Sequence, residues 1–166
     1  MFELKRLTTK NLEAALSKAS TYRDLNQPEE AESICRDVLD VDPKNQHALR
    51  LLGLAITDQF HGTWVGLFER ASEVFAQLES EYERVYYSGI AWERSGKAHL
   101  ERGEGHGAMT ALEHAIDSFD RAESLAPPDS PDPILRYNRC VRLVQTHALL
   151  RTAASVPRVS VVPLGD

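Results

Sequence analysis

Long apolar runs are missing from this chain. No stretch approaches the roughly eighteen consecutive apolar residues of a membrane span, and the opening "MFELKRLTTKNLEAALSKAS" has no continuous apolar segment of a secretory leader. A soluble, cytoplasmic protein is expected. Cysteine is scarce: Cys35 and Cys140 are the only two, each set among apolar residues at helical spacing, which predicts buried thiols rather than a disulfide. A positive balance is missing as well. With 25 acidic against 19 basic residues the net charge is −6, so the polyanionic backbone of nucleic acid is repelled rather than gathered.

Signs of chemistry are equally sparse. His99, His106 and His114 fall near Glu101 and Glu104, but no His-x-x-x-His or comparable ligand spacing links them, so neither metal nor cofactor is expected. The glycine-rich "GEGHG" at 103–107 follows no strand, so it reads as a tight helical reversal and not as a phosphate-binding loop. No nucleophile, base or paired carboxylates stand out, and no enzyme is expected.

What the chain does have is a stripe written twice. "PEEAESICRDVLDVDP" places Ala31, Cys35, Val38 and Val41 on one helical face before Pro43, and "ALEHAIDSFDRAESLAP" places Ala115, Phe119, Ala122 and Leu125 on another before Pro127. Each runs twelve residues from the alanine to the proline. Twelve residues before Ala31 stands Ala19, and thirty-four after Ala19 stands Gly53, with Gly89 thirty-six further on. A period near thirty-four with small residues at matching places predicts helical pairs stacked in sequence.

This pattern resembles the tetratricopeptide repeat, which places a small residue and an aromatic on its first helix, an alanine, an aromatic and an alanine on its second, and a proline at its end. The first repeat reads Ala19, Tyr22, Ala31, Cys35, Val38 and Pro43. The second reads Gly53, Ile56, Leu67, Ala71 and Val74, with no closing proline and a turn two residues longer containing "HGT". The third reads Gly89, Trp92, Ala115, Phe119, Ala122 and Pro127, with fourteen extra residues between Gly89 and Ala115, seven for each helix. The resemblance implies an all-α, right-handed superhelical solenoid: repeats at about 12–45, 46–80 and 81–128, the third pair elongated and protruding, and a capping helix at 132–151. Residues 1–151 form the domain on this reading. Helices are predicted at about 9–25, 28–40, 45–59, 63–79, 81–102, 107–125 and 132–151, with Pro28 in a first turn and Asn45, Thr63 and Ser80 as caps. Trp64, Trp92, Phe68, Phe75 and Phe119 are assigned to the core, and residues 152–166, with Pro157 and Pro163, to an extended tail able to dock on the groove of its own or a neighbouring copy.

The resemblance also implies a concave groove lined by the first helices: Glu13, Leu16, Ser20, Arg23 and Asp24; His47, Arg50, Leu54, Thr57 and Asp58; Glu83, Tyr86, Ile90, Glu93 and Arg94. The partner call is another protein or peptide, held there by an adaptor or assembly scaffold. A small secretion-type chaperone and a self-assembling scaffold, with a homodimer formed through the tail, are the alternative readings. Arg136, Arg139 and Arg142, three apart on the last helix, form a basic stripe that is either solvated or meets an anionic partner. The carboxylate clamp by which some relatives grip a chaperone's C-terminus is not expected, because Leu16, Ser20, Leu51, Glu83 and Tyr87 stand where it needs cationic and amide side chains.

Overall fold

The computed structural model describes residues 2–61 and 66–155. Among these the regular structure is helical: α1 Leu12–Asp24, α2 Pro28–Val41, α3 Gln46–Asp58, α4 Leu67–Phe75, α5 Glu81–Glu101, α6 Gly105–Leu125, α7 Asp132–Thr146 and α8 Ala148–Ser155, with a short 3-10 turn at Thr9–Asn11 before α1. Consecutive helices pack as pairs, α1 on α2, α3 on α4 and α5 on α6, and the pairs stack through α2–α3 and α4–α5 contacts into a helical solenoid.

Local chemistry sets the helix ends. Pro28 occupies the first turn of α2, where a missing N–H costs nothing. The Asn45 side chain accepts the Ala48 N–H at 3.0 Å and the Ser80 hydroxyl accepts that of Glu83 at 3.3 Å, so both residues cap as predicted. Between α1 and α2, Asn26 takes a left-handed conformation at φ 57°, which asparagine tolerates better than most residues, and lets the Gln27 N–H reach back to the Tyr22 carbonyl at 2.8 Å.

Within each pair the helices close on a small residue. A Cβ built on Gly53 would stand 2.2 Å from the Phe75 ring, and one on Gly89 would stand 2.8 Å from the Phe119 ring. In the first pair the same places hold Ala19 and Cys35, both fully buried: a larger small residue faces a smaller partner. The buried stripe of α4 and the turn after it is therefore Ala71, Phe75 and Leu78, matching Ala31, Cys35, Val38 and Ala115, Phe119, Ala122. This corrects the register Leu67, Ala71, Val74, in which Leu67 and Val74 are only partly buried. The small residue of the second helix thus stands eighteen residues after Gly53, at Ala71, and not fourteen, at Leu67, and the link onward to α5 is correspondingly shorter. It is made by a tight turn in which Leu78 enters the core while the Arg84 guanidinium donates to the Leu78 and Glu79 carbonyls at 2.6 and 2.8 Å. The expected cap Thr63, the core residue Trp64 and the start of the fourth predicted helix lie outside the described residues.

The third pair is elongated by one heptad in each helix. Seven residues beyond Gly89 is Gly96, and seven before Phe119 is Leu112, and a Cβ on Gly96 would meet the Leu112 side chain at 2.8 Å. The close approach is thus repeated one heptad toward the tip, where Gly103 at φ 74° ends α5. Helix α8 packs against this elongated pair. The expected single helix at 132–151 is broken at His147, whose extended backbone (φ −79°, ψ 125°) turns α8 onto α6. Leu150 is then fully buried beside Ala108, Leu112 and Cys140, and the Leu149 carbonyl lies 3.1 Å from where a Gly105 Cβ would be. Burying that leucine stabilises the docked helix by about 1.5–3 kcal/mol. Residues 152–155, assigned to an extended tail, belong to α8, and 156–166 lie outside the described residues.

Replacing Gly53 by alanine tests the close approach. Helix propensity alone favours alanine by roughly 1 kcal/mol, whereas the ring contact should reverse the sign and cost about 1–3 kcal/mol. A raised melting temperature would show that the pair has slack at this point. Burial pushes the thiols of both Cys35 and Cys140 up to about 12. Neither should therefore label with a thiolate-selective reagent near pH 8 until the chain is unfolded.

Candidate functional site

The first helices of the pairs, α1, α3 and α5, lie side by side, and their polar residues are joined in a ladder. Arg23 on α1 donates through Nε to Asp58 on α3 at 2.7 Å. The other carboxylate oxygen of Asp58 accepts from Arg94 on α5, which also donates to the Leu54 carbonyl at 3.1 Å and to the Thr57 hydroxyl. Arg50 on α3 pairs with Glu83 on α5 at 2.9 Å. Glu93 on α5 takes Lys97 from its own helix and Arg136 from α7 at 3.0 Å. Each rung except Lys97–Glu93 crosses from one helix to another, so α1, α3, α5 and α7 are tied by alternating charge.

Burial sharpens these contacts. Arg23, Asp58 and Arg94 are about four-fifths withdrawn from water, and Glu93 is 1% exposed. Desolvation pulls the Arg94 guanidinium below its usual range against the opposing pull of Asp58. For Arg136 burial acts the same way, but Glu93 and the Tyr86 hydroxyl outweigh it and the net shift is upward. Tyr86 is raised by burial, with its hydrogen bond to Arg136 in opposition.

The expected groove residues therefore divide. His47 is exposed in the first turn of α3, and Leu54 and Tyr86 are partly open. Arg50, Asp58, Glu83 and Arg94 lie on the shared face but are engaged with one another. Ile90, at 2% exposure, sits in the core with Ala115, Phe119 and Cys140, and Glu93 is closed in by Arg136. Neither offers a side chain to a partner, because α6 and α7 close over the second half of α5. In the first repeat Leu16 is fully buried while Glu13 and Asp24 are exposed. Of the basic stripe, Arg136 is committed to Glu93 and Arg139 and Arg142 are exposed.

Sequence reasoning overlooked the aromatic ladder. Tyr82 stacks on Tyr86 at 5.6 Å, Tyr86 meets Phe119 edge-on at 5.7 Å, and Tyr87 stacks on Phe75 at 5.2 Å. The spacing of three tyrosines within six residues at the start of α5 was the available signal.

Two clefts flank this face. One of about 240 Å³ lies between the end of α3 and the middle of α5, lined by Asp58, His61, Arg94, Lys97 and Glu101. The other, about 490 Å³, lies between α4 and the long pair, walled by Phe68, Trp92, His99, His106 and Thr110. In it Trp92 is held between Phe68 and His114, with ring centroids 4.4 and 4.5 Å away. Nδ1 of His99 lies 2.6 Å from a Glu104 oxygen. Among the described residues no three His, Cys, Asp or Glu side chains come together as a metal site would need, and no helix is long and apolar enough to cross a membrane.

The family model of the tetratricopeptide repeat matches residues 12–45, the span of α1, α2 and the turn that follows. No curated protein and no solved structure matches the chain.

The ladder makes Asp58 the residue whose loss is felt most. Asp58→Ala leaves two largely buried guanidinium groups without their carboxylate and should lower stability by about 1–3 kcal/mol in urea unfolding. Glu13→Ala, on the same face without a rung, should stay within about 0.5 kcal/mol. Equal effects of the two would dissolve the ladder as a stabilising device.

Proposed function

Starting from residues 12–45 as a tetratricopeptide repeat, we propose that the chain is a protein-interaction adaptor or assembly scaffold that binds a polypeptide segment across α1, α3 and α5. Tetratricopeptide repeats mediate protein–protein interaction, and on this reading residues 1–151 act as one interaction domain of three repeats and a cap. The observation that carries the partner's character is the ladder itself. Arg23, Arg50, Arg94 and Arg136 are already neutralised by Asp58, Glu83 and Glu93, so the face has few cations free to receive an acidic peptide. What it leaves open is apolar and aromatic surface at Leu54, Tyr82 and Tyr86, with exposed acids at Glu13 and Asp24.

The partner that fits is a neutral to basic segment with apolar anchors, since aromatic and aliphatic anchors carry most interface energy and rim charges set orientation. A carboxylate-terminated acidic segment does not fit, because Leu16 and Leu51, at two of the five positions where a carboxylate clamp needs polar groups, are core residues.

Selection of a random peptide library on the immobilised protein tests this. Enriched peptides should combine basic and apolar residues, and the Glu13→Lys/Asp24→Lys variant should bind them about tenfold more weakly, with an unchanged unfolding midpoint. Enrichment of acidic peptides, or indifference to that double reversal, would remove this face from consideration.

A further inference from the structure

Charge is distributed unevenly along the solenoid. Residues 1–131 hold 23 acids and 14 bases, whereas 132–155 hold one acid, Asp132, and four arginines. The arginines from Arg6 to Arg102 each donate to a carboxylate or, for Arg84, to two carbonyls. Among the described residues Arg139 and Arg142 on α7 have no carboxylate at ion-pair distance and are exposed. On the same helix Ile134 and Leu135 are 43% and 60% exposed. The open side of α7 is thus an apolar pair followed, one and two turns on, by two free guanidinium groups.

The opposite end of the chain carries the complement. Leu25, at the turn between α1 and α2, is 62% exposed, and Glu29 and Glu30 follow it, exposed, in the first turn of α2. Leu25 precedes Glu29 by four residues, as Leu135 precedes Arg139. These two patches lie in the first pair and in the cap, at opposite ends of a stack whose main contacts, among the described residues, run between neighbouring pairs, so one copy does not bring its own patches together.

We propose that the occupant of the α7 face is a second copy of this chain, docked head to tail, with Ile134 and Leu135 against the Leu25 turn and Arg139 and Arg142 against Glu29 and Glu30. A contact between two different patches is heterologous, so it extends into open chains of copies unless its rotation closes a ring. It uses neither the face proposed for peptide binding nor residues 156–166, and it stands or falls apart from that reading. A polyanion is a poorer occupant, since the body beyond α7 is strongly acidic and repels it.

Sedimentation equilibrium of the full chain tests the proposal. At low ionic strength the mean mass should rise with concentration beyond the monomer, and the association should weaken at roughly 1 M salt, where charges are screened within about 3 Å. The variants Arg139→Glu/Arg142→Glu and Glu29→Arg/Glu30→Arg should each associate at least about tenfold more weakly, and an equimolar mixture of the two should regain association because opposite charges again meet. All four side chains are exposed, and a circular dichroism spectrum and unfolding midpoint equal to those of the unsubstituted chain check that each variant folds. A monomer at every concentration in low salt overturns the proposal. So does association unaffected by either reversal, or a mixture no better than its components.

Discussion

The architecture depends on how closely the two helices of each pair approach. The rings of Phe75 and Phe119 occupy the places on the facing helix where Gly53 and Gly89 have no Cβ, filling space that a methyl group would otherwise contest. Because interiors are packed to crystal density, the small residue and its opposite number must be chosen together. Gly faces Phe twice, and Ala19 stands with Cys35 in the remaining pair. The third pair extends the same rule by one heptad, Gly96 against Leu112, which is why it lengthens without splaying.

Close pairing leaves the stacking of one pair on the next to be specified, and here charge adds to the apolar packing that runs from pair to pair. Asp58 alone joins the three first helices α1, α3 and α5 through Arg23 and Arg94, and Glu93 reaches α7 through Arg136. Largely buried charges of this kind are costly to leave unpaired, so sliding one pair past its neighbour would strand them. The register is thereby fixed, and the same arginines are withdrawn from any role as acceptors of an anionic ligand. A face that reads in one dimension as charges of both signs is, in three, largely closed into ion pairs, with its tyrosines left as the open feature.

Much of this was legible in the sequence. The period near thirty-four, the small residues at Ala19, Gly53 and Gly89, the caps Asn45 and Ser80 and the fourteen-residue extension all follow from local rules and counting. The register of α4 did not, because Leu67, Ala71 and Val74 satisfy the same four-and-three spacing as Ala71, Phe75 and Leu78. Periodicity cannot separate two stripes that share a residue. The aromatic at Phe75, corresponding to Phe119, was the discriminating sign, and it required knowing that a ring belongs opposite a glycine. The site was less legible than the fold. Family positions place Ile90 and Glu93 on an open groove, but whether a position is open depends on α6 and α7, which arrive from later in the chain.

The break at His147 shows the same limit from the other side. No glycine or proline marks it, and the stripe of α7 continues into α8 without interruption, so a helix of twenty residues is the local optimum. What favours the break is the uncovered tip of the long pair. Two added turns in each of α5 and α6 carry the apolar face on to Ala108 and Leu112, and folding α8 back buries Leu150 against them while Gly105 lets the Leu149 carbonyl come near. The extension of the third pair and the kink of the cap are therefore one feature: the longer pair creates an apolar surface, and the divided cap is the shortest way for the chain to cover it. This leaves the outer side of α7 without a covering helix, since the segment that would continue the stack has been turned toward the tip.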